Sequence, residues 1–337
     1  MSNLFKKAAV FTDIHFGLKH NSRLHNSDCE EFIHWFVDQA LDRGCDTCFM
    51  LGDWHHHRAS VNVSTLNYTM SNLQYLSNHF EHVYIITGNH DLFYREKREI
   101  HSMIMGSAID NLTIVDEPLI KNDVAIIPWL VDDEWKGIKK IKTKYMFGHF
   151  EIPGFSMNAH VQMPDHGHIS KSHFKHQDYV FSGHFHKRQK EGHIHYIGNP
   201  FGHNFADAWD TNRGAMFLEW GGEPEYVNWP AGPRYITCYL TDLLENTEEY
   251  LCEKTYARVT MDMNLTFEEA SFIKEIFIDS YNIRDLKFIH DQTEADDIEF
   301  EGEITFQTVD QIVTEQLINL DLSSFDKHKL VEIYQNL

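Results

Sequence analysis

The sequence predicts an α/β protein with a large strand-and-helix domain over residues 1–230, a small C-terminal α/β region and helical ends. Three observations carry that reading. Short apolar runs alternate with amphipathic stretches of helical length in the first two-thirds of the chain. Metal-binding side chains stand directly after five of those runs. Acidity is concentrated in the last third.

The apolar runs are Ala8–Thr12, Thr47–Leu51, Val83–Thr87, Val124–Trp129, Tyr145–Phe147, Tyr179–Phe181, His195–Ile197 and Ala215–Trp220. Their lengths fit buried strands. Ser27–Arg43 reads as a helix with Phe32, Phe36, Val37 and Ala40 on one face and Gly44 as its stop. Val63–Asn78 reads as a second helix, capped by Asn62. The early β-α-β-α-β order implies parallel strands joined by right-handed crossovers. The later strands, with shorter connections, are expected to be antiparallel. The expected core is a layered α/β or mixed sandwich.

Turn signals at Gly221-Gly222-Glu223-Pro224 and Pro230–Pro233 place a boundary near residue 230. Residues 234–292 then read as a small α/β cap: a first strand, a strand at Tyr256–Met261, a helix at Phe267–Tyr281 and a strand at Leu286–His290. Residues 293–305, including the acidic Glu294–Glu303, read as a solvated linker. Residues 306–337 hold two amphipathic stripes, Thr308–Ile318 and Ser323–Tyr334.

The net charge is −22, with −7 in residues 1–230 and −15 in residues 231–337. So acidic a chain is a poor general binder of nucleic acid, and any contact with it must be local, metal-assisted or shared with a partner. No run approaches the roughly 18–20 apolar residues of a membrane span, and the N-terminus lacks a signal-peptide layout. The expectation is a cytoplasmic protein, in the host cytoplasm if viral, without membrane contact. The five cysteines argue against a disulfide framework, and Cys45 and Cys48 are expected to be buried residues at a strand start.

The chemistry lies in one recurring pattern. Asp13-Ile14-His15, Gly52-Asp53, Gly88-Asn89-His90-Asp91, Gly148-His149 and Gly183-His184-Phe185-His186 each follow or end an apolar strand. Ligands bind outside the carboxyl ends of strands in open α/β sheets, so these loops can converge. Residues i and i+2 of an extended segment project to one side, which lets Asp13 pair with His15 and His184 with His186. Asp13, His15, Asp53, Asn89, His149, His184 and His186 offer two carboxylates, one amide oxygen and four imidazoles, too many for one tetrahedral zinc. They suit two divalent ions, about 3.5–4 Å apart, sharing one carboxylate. Nitrogen-rich donors disfavour calcium and magnesium. Manganese, iron or zinc fit, and manganese is the expected ion. Two such ions against two carboxylates leave a site of about +2, which would attract a phosphodiester and activate water. His90 would stabilise or protonate the leaving oxygen, with Asp91 orienting it.

In this order, the five motifs resemble the calcineurin-like metallophosphoesterase superfamily over roughly residues 7–220. That resemblance implies a four-layered α-β-β-α sandwich. It would assign Asp13, His15, Asp53 and His186 to the first metal, and Asp53, Asn89, His149 and His184 to the second. His90 matches the family's catalytic histidine. Within the superfamily, the chain resembles the nuclease (SbcD-like) subunit of the SbcC–SbcD double-strand-break repair exonuclease, in its phage-type recombination version. The Asp91 ending, the Gly52-Asp53-Trp54-His55-His56 stretch, the Tyr196-Ile197-Gly198-Asn199-Pro200 turn and the small C-terminal region carry this narrower likeness. It would make His56 a second phosphate-facing histidine. It departs from the pattern at Trp54-His55-His56-His57, where many members place a second acid, and at Asn199, which replaces a small hydroxyl residue. His55 and His57 are expected to be solvated loop residues.

The expected function is therefore a metal-dependent DNA exonuclease or endonuclease subunit of a repair and recombination complex. Three interactions are expected. Basic residues that follow the metal loops, namely Lys19, Arg23, Arg58, Arg95, Lys97, Arg98, Lys187, Arg188 and Lys190, could rim the cleft and guide the DNA backbone. The resemblance further implies that an SbcC-like coiled-coil ATPase would take the C-terminal stripes. A second copy would pack on helices between Gly52 and Asn111, where Leu66, Tyr68, Met70, Leu73, Tyr75 and Leu76 supply apolar surface. A nucleotide or small-molecule phosphodiesterase, or a protein phosphatase, on the same metal core is the alternative. A binding module with a dead site is a third class.

Overall fold

Strands and helices alternate early in the chain because short continuous apolar runs, buried on both faces of a sheet, give way to apolar residues recurring at a period of 3.6. A computed structural model describes residues 3–157 and 161–290. Strands β1 (Lys7–Phe11), β2 (Thr47–Met50) and β3 (His82–Ile86) are separated by two long helices. A hairpin, β4 (Leu92–Tyr94) and β5 (Lys97–His101), precedes β6 (Leu112–Val115). Strands β1, β2, β3 and β6 pair in parallel, in that order.

The next strands are β7 (Leu119–Lys121), β8 (Val124–Ile127), β9 (Tyr145–His149), β10 (Tyr179–Gly183), β11 (Gln189–Glu191) and β12 (Ile194–Tyr196). They form a second six-stranded sheet in the order β11-β12-β10-β9-β8-β7. Strands β13 (Gly214–Glu219) and β14 (Glu225–Asn228) return to complete the first sheet, β13 antiparallel to β1 and β14 antiparallel to β13.

The expectation of antiparallel later strands holds for β13 against β1 and is corrected within the second sheet. Strands β8, β9, β10 and β12 are parallel. Parallel pairing needs a crossover of a dozen or more residues. The segments between Ile127 and Tyr145 and between His149 and Tyr179 are long enough, but they contain only short helical turns at Trp135–Ile138 and Lys171–Phe174. Without a helix-period signal, the crossovers read as loops.

Alternation along the strands divides their side chains between cores. Val10, Phe49, Leu51 and Ile86 of the first sheet cluster with Ile126, Phe147 and Phe181 of the second. Phe49 stacks on Phe147 with centroids 4.2 Å apart. Ala9, Phe11, Cys48 and Ile85 face the other way, onto Phe32, Phe36, Leu73 and Leu76 of the helices. Ala125, Met146 and Val180 join a third cluster with Phe150 and Phe174.

The first long helix runs Arg23–Arg43, four residues earlier than expected, because the Ser22 hydroxyl accepts from the His25 N–H. It ends at Gly44, whose φ of 68° suits glycine. The second runs Val63–His79 with Asn62 as its cap, as expected. Cys45 and Cys48 are buried, and all five cysteines are free thiols.

Strands β15 (Arg234–Tyr239), β16 (Thr255–Met261) and β17 (Asp285–His290) form a three-stranded parallel sheet with the helix Phe267–Tyr281. It is joined to the first long helix by charge. Asp28 receives Lys254 at 3.3 Å and Arg284 at 3.0 Å, and Glu31 receives Lys254 at 2.5 Å. Residues up to His290 form one compact unit. The expected acidic linker and the two terminal stripes lie outside the described residues. Among the described residues, no helix is long and apolar enough to cross a membrane.

Candidate metal centre

The five motif loops meet at the carboxyl ends of β1, β2, β3, β9 and β10. Four candidate ligands sit in the left-handed backbone region: Asp13 (φ 52°), His15 (53°), Asp53 (60°) and His184 (90°). For residues other than glycine this costs about 1–3 kcal/mol each and clusters at functional sites. Two glycines explain how the loops approach so closely. A Cβ at Gly88 would overlap the Asp53 carboxylate, and one at Gly52 (φ 102°) would overlap the His149 ring.

The donors fall into two groups that share Asp53. Its Oδ2 lies 3.7 Å from His15 Nε2 and 3.5 Å from His149 Nε2. On one side, His186 Nε2 is 3.3 Å from His15 Nε2 and 4.0 Å from Asp13 Oδ1. Ligand atoms of Asp13, His15 and Asp53 all lie within 4.8 Å of one another. On the other side, Asn89 Oδ1 is 3.1 Å from His149 Nε2 and 3.0 Å from His184 Nδ1.

Neighbouring groups turn the imidazoles' lone pairs inward. A carbonyl can only accept, so His149 Nδ1–H donates to the Leu51 oxygen (2.7 Å) and leaves Nε2 free to bind. His184 Nε2 lies 3.4 Å from Glu151 Oε1, which leaves Nδ1 toward Asn89. His25 Nε2–H donates to the His15 carbonyl (3.0 Å) and braces that turn. Such outer partners fix the tautomer and orientation of metal-binding histidines.

The electrostatics fit a cation. Asp13 and Asp53 are buried, and among the described residues neither is paired with a lysine or arginine. Buried charges are normally paired or bind metals. Burial pushes Asp13 up to about 7. Burial would raise Asp53 too, but His149 beside it holds the carboxylate well below its usual range. Burial disfavours the His149 imidazolium, yet Asp53 outweighs it and lifts this histidine to about 9. A divalent cation would take the place of that proton. Burial lowers His186 and His56 to about 4, and His15 well below the ordinary value. Burial thus favours their neutral imidazoles, each of which keeps one N–H and offers one nitrogen lone pair as a donor.

His90 stands beside these groups. Its backbone N–H donates to Asp53 Oδ1 (2.8 Å), and its Nδ1–H donates to the His56 carbonyl (2.8 Å). His56 stacks on it at 5.2 Å. His15, His56 and His90 bring ring nitrogens within 4.8 Å of one another.

Asp91, expected to orient His90, is arranged otherwise. Its carboxylate accepts backbone N–H groups from Gly88, Asp53, Trp54 and His55, at 2.9–3.3 Å, so it staples the Gly52 and Gly88 loops together. The reading of His55 as a solvated residue is also corrected. It is buried, and its ring bonds Ser102 at 2.7 Å and Thr69 at 2.8 Å. His57 is half-buried.

The basic residues divide. Arg58 lines an open cleft with His20, Asn21, His56, His57 and His90. Arg95 lies over Trp129 and 3.8 Å from Glu151, close to His184. Arg23, Lys97, Lys187 and Lys190 are exposed. The rest are engaged elsewhere. Lys19 bonds the Tyr235 hydroxyl at 2.5 Å and lies over Tyr256. Arg98 pairs with Glu134 at 2.5 Å. Arg188 bonds Asn228 and the Ile197 carbonyl. On the Val63–His79 helix, Leu73 and Leu76 belong to the core, while Leu66, Tyr68, Met70 and Tyr75 reach the surface.

The sequence reading missed Glu151, His25 and His203. Glu151 follows His149 by two residues, the same i, i+2 signal used elsewhere. His25 lies within a helix and His203 in a loop, and neither has a spacing that marks it.

No family model matches the chain. The chain is 23% identical to exonuclease subunit 1 of Enterobacteria phage T4 over 337 residues, covering 96% of each protein. That likeness runs along nearly the whole chain, beyond the roughly 7–220 span of the five motifs. Among solved structures, the nuclease MPE of Pseudomonas putida overlaps 56% of this chain and 66% of its own, just under two-thirds of that protein's length. Identity there is 18% and the TM-score 0.30, too loose a superposition to bear on the fold.

Proposed function

We propose that this chain is a metal-dependent DNA nuclease subunit that hydrolyses phosphodiester bonds at two divalent cations. The observation that carries the reading is the pair of donor groups sharing Asp53. Asp13, His15, Asp53 and His186 would hold one cation, and Asp53, Asn89, His149 and His184 the other. Manganese suits this mixture of oxygen and imidazole donors. Once bound, the cations would supply an activated water near neutral pH and charge stabilisation for the reacting oxygens.

The chain's own residues do the rest. Nδ1 of His90 is committed to the His56 carbonyl. Nε2 is then the nitrogen that carries a proton to the leaving oxygen. His56, stacked on His90, would face the phosphate. Asp91 keeps the two loops in register and so positions His90 through its backbone. Arg58, at the cleft, and Arg95, Lys97 and Lys187, beside the metal loops, would guide the DNA backbone, with Arg23 farther along the chain. Lys19 and Arg188 contribute to holding the loops.

The full-length likeness to a phage exonuclease subunit supports a role in a DNA recombination and repair complex acting in the cytoplasm. The two packed sheets with helical cores support a four-layered α-β-β-α sandwich over residues 1–230, followed by a cap at 234–292. The linker at 293–305 would lead to residues 306–337, the proposed dock for a coiled-coil ATPase of the SbcC type. The exposed side of the Val63–His79 helix would form a homodimer contact; a monomer in sedimentation at micromolar concentration would refute that contact.

The test is cleavage of single-stranded and duplex DNA with added manganese, comparing wild type with His90→Ala. Metal-dependent cleavage, lost by about a hundredfold or more in the variant, is expected from removal of a general acid. Hydrolysis of only a small phosphodiester or phosphomonoester, even with the ATPase present, would favour the small-substrate alternative.

A further inference from the structure

We propose that His203 is a fifth donor to the cation held by Asp13, His15, Asp53 and His186, and that it makes this the tighter of the two sites. The proposal rests on the two-cation reading above and adds a residue to it.

The His203 ring is buried, at 2% exposure. It stands edge-on to His15 with centroids 5.4 Å apart, and edge-on to His186 at 5.3 Å. Ring nitrogens of His15, His186 and His203 all lie within 4.8 Å of one another. A cation about 2.0–2.1 Å from each imidazole nitrogen sets adjacent donors roughly 3 Å apart. The His15–His186 pair is already at 3.3 Å, and the His203 nitrogen, within 4.8 Å of both, would close on them to bind.

The second observation is independent of that spacing. Nε2 of His203 has no hydrogen-bond partner, although it is buried. Buried polar atoms are seldom left unpaired, and such an atom requires an explanation. The other neighbours do not provide one. Phe201 offers only a ring face, and His25 Nε2 is committed to the His15 carbonyl.

The loop is also built to hold this ring in place. The His203 backbone N–H donates to Asp207 Oδ2 (2.8 Å), Asp207 pairs with Arg213 (3.0 Å), and Arg213 donates to the His186 carbonyl (3.0 Å). One network thus positions both His203 and the proposed ligand His186. The first group then has five donors, three of them imidazoles, against four donors and two imidazoles in the second.

The test is manganese binding without substrate. Calorimetric titration of wild type should give two cations, one tighter. Pulsed electron paramagnetic resonance at one equivalent should count three imidazole nitrogens. His203→Ala should weaken the tight site by at least about tenfold and reduce the count to two. His203→Gln, which keeps bulk and an oxygen donor, should fall between. The wild-type nitrogen count decides the matter even if neither variant folds. Two cations in wild type with only two imidazole nitrogens on the first, or unchanged affinity in both variants, would overturn the role of His203 while leaving the metal centre intact. A wild type that binds no divalent cation would overturn both.

Discussion

The two six-stranded sheets share a run of four adjacent parallel strands, extended on one side by β13 and β14 in the first and flanked by β7 and β11 in the second, yet their carboxyl ends bring different chemistry to the centre. The first sheet supplies both carboxylates, Asp13 and Asp53, and the amide of Asn89, on loops with left-handed residues. The second supplies only imidazoles, His149, His184 and His186. The negative charge therefore comes from one sheet and neutral nitrogen donors come largely from the other. Neither sheet carries the whole donor set alone, so the packing that stacks Phe49 on Phe147 and joins the sheets also brings the donors together.

The asymmetry is broken most severely at the shared carboxylate. Asp53→Asn should abolish binding of at least one cation and reduce DNA cleavage by more than about a hundredfold, measured by titration and by rates under saturating manganese. His184→Ala on the second sheet should remove one donor, leave the other group intact, and weaken only one binding step, by at least about tenfold.

Next come the devices that let the first-sheet loops approach. Gly88→Ala would press a methyl group against Asp53 and should destabilise the fold by about 1–3 kcal/mol while lowering metal affinity, read by denaturant unfolding with and without manganese. Asp91→Asn leaves a buried acceptor in place but removes its charge. Because four N–H groups converge on that carboxylate, about 1–3 kcal/mol of stability should be lost. Loss of activity with no change in stability would contradict its role as a staple. The smallest effect is expected at the rim. Arg95→Glu with Lys187→Glu should lower DNA affinity and flatten its salt dependence by about one unit of slope per contact.

Much of this centre was legible because each strand end carries its own local mark: an apolar run, a glycine, then a ligand. Asp13, His15, Asp53, Asn89, His149, His184 and His186 are brought together from loops that are far apart in sequence. What depended on the path of the chain was not legible. The parallel pairing of β8, β9, β10 and β12 is set by crossovers with too little helix to show periodicity. His203 reaches the centre only because the segment after β12 folds back through Asp207 and Arg213. His55 is buried because Ser102 and Thr69, remote in sequence, meet its ring. Asp91 follows His90 directly, so adjacency suggested a partnership, whereas the turn points its carboxylate toward the backbone of another loop.

The central claim is a pair of cations sharing Asp53, and anomalous diffraction from crystals of the manganese-loaded protein tests it directly. The account predicts two peaks about 3.5–4 Å apart, with the Asp53 carboxylate between them. A single peak, or two peaks that do not share Asp53, would contradict it.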